Sequence, residues 1–122
     1  MNIITKNNKQ MAVFDDKNIK IKDVQDVLDL MATARYYSDG DAIIICKESL
    51  SEEFFNLKTR FAGEVLQKFV NYNMKIAVVG DFSQYTSKSL QDFIYECNNG
   101  RHIFFKKSIE EAVGALAGKN EE

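Results

Sequence analysis

The sequence predicts an α/β domain: an N-terminal β-hairpin followed by alternating helices and strands around a mixed, mostly parallel sheet. Three observations predict it. The runs Ala42–Cys46 and Lys75–Val79 are short, β-branched and apolar without alternation, which is how strands covered on both faces read. Longer stretches beside them carry apolar residues three and four apart, the mark of amphipathic helices. Strands that alternate with helices build a parallel sheet with right-handed crossovers.

The elements follow in order. Ile3-Ile4-Thr5 and Met11-Ala12-Val13-Phe14 flank Asn7-Asn8, and asparagine tolerates the left-handed backbone of a tight turn. Asp15, Asp16, Lys17 and Asn18 make a second turn, and Ile19-Lys20-Ile21-Lys22 alternates like a short extended piece. Asp23 is placed to cap a helix over 23–37 with Val24, Val27, Leu28, Met31 and Ala34 inward. After strand Ala42–Cys46, one helix over 51–72 would be about 32 Å long, too long for so small a domain. A break near 57–59 is expected, with Phe54-Phe55 in a short turn and Thr59 capping the main helix. Strand Lys75–Val79 ends at Gly80. Thr86 or Ser87 caps a helix with Leu90, Phe93, Ile94 and Cys97 inward, stopped by Asn98-Asn99-Gly100 with glycine in the left-handed conformation. His102-Ile103-Phe104-Phe105 is the last strand, and Ser108 caps a last helix with Ile109, Ala112, Val113 and Leu116 inward. Residues 118–122 should fray.

The chain has 122 residues, which argues for a single α/β domain over 1–122. Its formal net charge of −2 draws neither nucleic acid nor an acidic membrane. The longest apolar run is far short of the roughly 20 residues of a bilayer crossing. The first residues lack the apolar core of a secretory signal, so a cytoplasmic protein is expected. Cys46 and Cys97 belong to no Cys-x-x-Cys pair, so neither zinc nor redox chemistry is indicated and two buried reduced thiols are expected. Proline is absent, leaving the turns to Gly, Asn, Asp and Ser.

From residue 54 to residue 100 the chain carries Phe54-Phe55, Leu57, Thr59, Ala62-Gly63-Glu64, Gln67-Lys68-Phe69, Asn71-Tyr72, Gly80-Asp81, Ser83, Ser89-Leu90, Asp92-Phe93, Glu96, Asn98 and Gly100. On these residues it resembles an uncharacterised bacterial family, domain of unknown function 4180. The resemblance implies a small cytoplasmic α/β protein and brings no catalytic residues with it. The element order is also similar to that of STAS domains, found in anti-sigma-factor antagonists and sulphate-transporter tails, which bind partner proteins. In the antagonists a serine after a central strand is phosphorylated. Ser49 and Ser51 occupy that place here, in Cys46-Lys-Glu-Ser-Leu-Ser rather than in the antagonists' Asp-x-Ser.

Open α/β sheets bind ligands outside the carboxyl ends of their strands, which directs attention to residues 47–51, 80–87 and 106–108. Gly80, Asp81, Ser83, Thr86 and Ser87 are the candidate ligand-binding residues. A phosphate loop usually needs several glycines and a lysine, whereas this one has one glycine and an aspartate. The competing reading is a polar corner, with Asp81 on backbone amides and Thr86 or Ser87 capping. Ser49 and Ser51 are candidate phosphorylation sites, and Ser49 with Glu52 also reads as a capping box. Asp92 and Glu96 read as solvated carboxylates. The one histidine, His102, lies away from them, so neither a metal site nor a catalytic triad is expected. Phe54, Phe55, Phe61, Phe69 and Tyr72 read as core. The function expected is that of a small STAS-like domain without catalysis or cofactor, an interaction or regulatory module for another protein or for copies of itself. The alternative is a small ligand-binding domain or enzyme with a cleft for a polar or phosphorylated ligand around 80–87.

Overall fold

The computed structural model describes residues 1–16 and 18–118. The expected turn after β2 is present in its described residues, all but Lys17: the Asn18 N–H donates to Asp16 Oδ1 at 2.9 Å and the Ile19 N–H to the Asp16 carbonyl at 3.1 Å. The expected fraying at 118–122 lies, past Gly118, outside the described residues. Strands β1 (Asn2–Lys6) and β2 (Lys9–Phe14) form the antiparallel hairpin. Its turn places both Asn7 (φ 54°) and Asn8 (φ 65°) in the left-handed region, as a two-residue turn matching strand twist requires. Helix α1 (Val24–Tyr37) begins at Asp23, whose carboxylate accepts from the Asp26 N–H. Strands β3 (Ala42–Cys46) and β4 (Lys75–Val79) occupy the predicted residues. Between them lie the one-turn helix α2 (Glu52–Phe55) and helix α3 (Phe61–Asn71). Helix α4 (Lys88–Asn98), strand β5 (Ile103–Lys106) and helix α5 (Ile109–Ala117) complete the chain.

The sheet order is β1-β2-β3-β4-β5, with β2 through β5 parallel. Every strand therefore lies beside its predecessor in the chain. Right-handed crossovers that always step the same way put their helices on one face. That face buries Ala12, Phe14, Ile43, Ile45, Ile76, Val78, Ile103 and Phe105 against α1, α3 and α4. The opposite face buries Met11, Val13, Ala42, Ile44, Ala77 and Phe104 against α5. Alternate residues of each strand point to opposite faces, so the unbroken apolar runs are explained by two covers, not one.

The β5 edge is closed by a side chain. Asn98 Oδ1, at the end of α4, accepts from the Phe105 N–H at 2.8 Å. A free N–H there would invite a further strand.

Four details at the helix ends and faces differ from the sequence reading. Helix α3 is capped by Arg60 in the left-handed region (φ 68°), while Thr59 Oγ1 accepts from the Phe61 N–H one residue earlier than a cap would sit. Gly100 is not left-handed; Asn99 (φ −94°, ψ 0°) ends α4 with its N–H on the carbonyls of Tyr95 and Glu96. Ile109 is exposed and Ala117 takes an inward place instead. Tyr72 is 54 % exposed, because it follows the last turn of α3 and lies at the edge of the core.

Candidate functional site

The parallel strands bring their carboxyl ends to one rim. The Gly80 N–H donates to the Lys106 carbonyl at 3.0 Å, and Gly80 packs against Lys47: a Cβ there would stand 2.6 Å from the Lys47 Cβ. The loops at 47–51, 80–87 and 106–108 therefore meet. The chain winds in one direction throughout, so this rim has no topological switch point, the place where diverging crossovers open a crevice.

The candidate residues divide between local bonding and open solvent. Asp81 is exposed, and its Oδ1 accepts from the Ser83 N–H at 2.9 Å, an Asx turn. That backbone bond and the Ser83 hydroxyl hold the Asp81 carboxyl below its ordinary range, helped by Lys47 and Lys107. Ser87 caps α4, its Oγ accepting from the Leu90 N–H at 3.3 Å. Ser83 and Thr86 are exposed.

The loop is anchored by rings that the sequence reading passed over. Phe82 meets Phe105 edge-on at 5.3 Å and lies 6.1 Å from Phe55. Tyr85 stacks on Phe55 at 4.7 Å with an interplanar angle of 14°. Lys47 Nζ stands 5.0 Å from the Tyr85 ring centre and donates to Gln84 Oε1 at 2.8 Å. Desolvation first, and then the Glu52 carboxylate, push the Tyr85 hydroxyl up to about 12. The Phe82-x-x-Tyr85 spacing within an otherwise polar loop was the available signal. Phe54 and Phe55 are both buried, so neither forms a contact patch. Beside the loop, Glu52, Glu53, Phe55, Asn56 and Tyr85 line an open hollow of about 330 Å³.

Ser49 is fully buried and its hydroxyl has no protein partner; the Ser51 hydroxyl is buried likewise. Ser51, not Ser49, occupies the cap position of α2, and its side chain makes no capping bond. The peptide groups on either side of Leu50 bridge to Ile21: the Ile21 N–H donates to the Ser49 carbonyl at 2.7 Å, and the Ser51 N–H to the Ile21 carbonyl at 3.1 Å.

The remaining chemical groups are dispersed. Cys97 is buried, which together with Glu96 pushes its thiol up to about 11. Cys46 is only half-buried, at the open end of β3. His102 Nδ1 lies 3.0 Å from the Met74 carbonyl oxygen, a bond that requires the proton on Nδ1. Asp92 pairs with Lys88 at 3.2 Å on the exposed side of α4, a contact worth little in water. No group of three or more metal-ligating side chains converges among the described residues. No helix among them is long and apolar enough to cross a membrane.

The opposite rim carries the exposed aromatics. Helices in these crossovers run against the strands, so their C-termini gather at the strands' N-terminal ends. Tyr36 and Tyr37 end α1, Tyr72 follows α3 and Tyr95 lies in the last turn of α4, all exposed. Between α1 and α3, Leu28, Met31, Ala32, Arg35, Tyr72 and Met74 line an apolar hollow of about 250 Å³.

Fold and rims together define a small, one-way-wound α/β domain with a bonded polar corner at one end and exposed tyrosines at the other. The chain belongs to the family described as domain of unknown function (DUF4180), whose model matches residues 6–116. No curated protein and no solved structure matches it.

Proposed function

We propose that this domain is a cytoplasmic STAS-like module that works by binding protein rather than by catalysis. The observation that carries the reading is an apolar hollow lined in part by the exposed Tyr72, with the exposed Tyr36 and Tyr37 ending the α1 helix that forms its other wall. Tyrosine and arginine are the residues that most often anchor protein contacts, and Arg35 stands there, its Nη2 donating to the Tyr72 carbonyl at 3.3 Å. The 80–87 loop gives weaker support to a ligand site, since Asp81 and Ser87 are occupied with backbone amides. A phosphoryl switch at Ser49 or Ser51 would require the 47–51 turn to open first, because Ser49 is fully buried.

A second reading puts a small ligand in the hollow beside Tyr85. Glu52 and Glu53 on its wall favour a cationic ligand over a phosphorylated one, by simple charge. A photo-reactive side chain placed at Tyr72 in one variant and at Ser83 in another separates the two in living cells. The proposal expects protein adducts from position 72 and none from position 83. Adducts from position 83 alone, or from neither, reject it.

A further inference from the structure

We propose that the partner of the tyrosine rim is a second copy of this chain, docked through the outer face of α1; this rests on the interaction reading above. The face is built to complement itself. Ala32 is exposed at its centre. At 3.6 residues per turn, Asp29 and Tyr36 lie on one flank of Ala32, and Leu28 and Arg35 lie on the other. The first flank is a ridge: Tyr36 is 80 % exposed and its ring meets Tyr37 edge-on at 4.8 Å. The second flank is the hollow floored by Met31 and Met74 and closed by Tyr72.

A two-fold axis running along α1 exchanges the flanks. It carries the Tyr36 ridge of one copy onto the hollow of the other, and does so twice, as an isologous contact must. The same operation carries the acidic flank, with Asp29, onto the basic flank, with Arg35. Shape and charge therefore select one arrangement. The small Ala32 side chain at the seam lets the two helices approach to the 8–10 Å of ordinary helix packing.

The size of the face sets the expected strength. α1 has 14 residues, so α1 and the end of α3 offer a strip of about 21 Å by about 20 Å. That is about 400 Å² in projection, short of the roughly 800 Å² per partner of a standard interface. A dimer in the micromolar range is expected.

Sedimentation equilibrium on the full chain, from about 1 µM to about 500 µM, reads the association by mass action. Ala32→Arg keeps helix propensity and is expected to weaken the dimer at least tenfold while the circular dichroism of the diluted protein stays unchanged. Asp29→Arg is expected to weaken it as well, and adding Arg35→Glu to restore it. A wild-type chain monomeric at the highest concentration overturns the inference, as does an Ala32→Arg variant that associates normally or a charge swap that fails to restore. Those outcomes leave the broader interaction reading to the cross-linking at position 72, so the two fail separately.

Discussion

Phe55→Ala tests whether rings, and not the polar groups, hold the 80–87 loop. Phe55 is 6 % exposed and packs on Phe54 at 5.1 Å, Phe82 at 6.1 Å and Tyr85 at 4.7 Å. Truncating a core phenylalanine costs about 3–5 kcal/mol. Phe55 sits on a one-turn helix at the rim, where the surroundings can partly collapse, so the lower end, about 3 kcal/mol, is expected. Against a total of about 5–15 kcal/mol for a domain, that is a large fraction. It corresponds to a fall in Tm of about 10–15 °C at this chain length. Urea unfolding followed by circular dichroism measures the global cost. Hydrogen exchange measures the local one: the Tyr85 N–H donates to the Phe82 carbonyl at 3.2 Å and should lose protection beyond the global change. A loss under about 1 kcal/mol, or unaltered exchange at 82–85, would refute the reasoning.

Three further predictions follow from the same geometry. Stability should fall as pH rises from about 9 to about 12: the folded state keeps the Cys97 and Tyr85 protons, with thiol and hydroxyl held near about 11 and about 12, while the unfolded chain releases them at 9.0 and 10.0. Tyr85→Phe should flatten the upper part of that decline in a series of urea midpoints. In a thiol-reagent assay on the native protein, Cys46 should react quickly and Cys97 only after denaturant is added, since Cys97 is buried with a raised thiol. Ser87→Ala should cost about 1 kcal/mol through the lost cap on the Leu90 N–H, with thermal melts as the check; a neutral result would mean the cap is replaced by water.

Strands with two covered faces were the most legible elements, because Ala42–Cys46 and Lys75–Val79 owe their composition to burial alone. Caps were legible where a short polar side chain does the work, as at Asp23, Ser87 and Ser108. They failed where the backbone does it: the left-handed Arg60 leaves no trace in residue type, and the Asn99 ending of α4 made a left-handed Gly100 unnecessary. Tyr72 continues the apolar stripe of α3 in sequence, yet lies beyond its last turn and so at the edge of the core. The five residues named on the 80–87 loop do lie together at the strand ends. The ring clamp beneath them was hidden because Phe55, Phe82 and Tyr85 come from two segments that only the fold brings together. One-way winding cannot be read from a β-α-β alternation, which serves either direction of stepping.

Strand order that equals chain order has a consequence for biogenesis. Each new β-segment leaving the ribosome finds its neighbour already in place, so the sheet can grow vectorially with short loop closures. Its second face has no such stepwise cover: α5 alone lies across it, touching all five strands. Until α5 emerges, that hydrophobic side stays open, and nascent chains should be most vulnerable to chaperones and proteases before it docks.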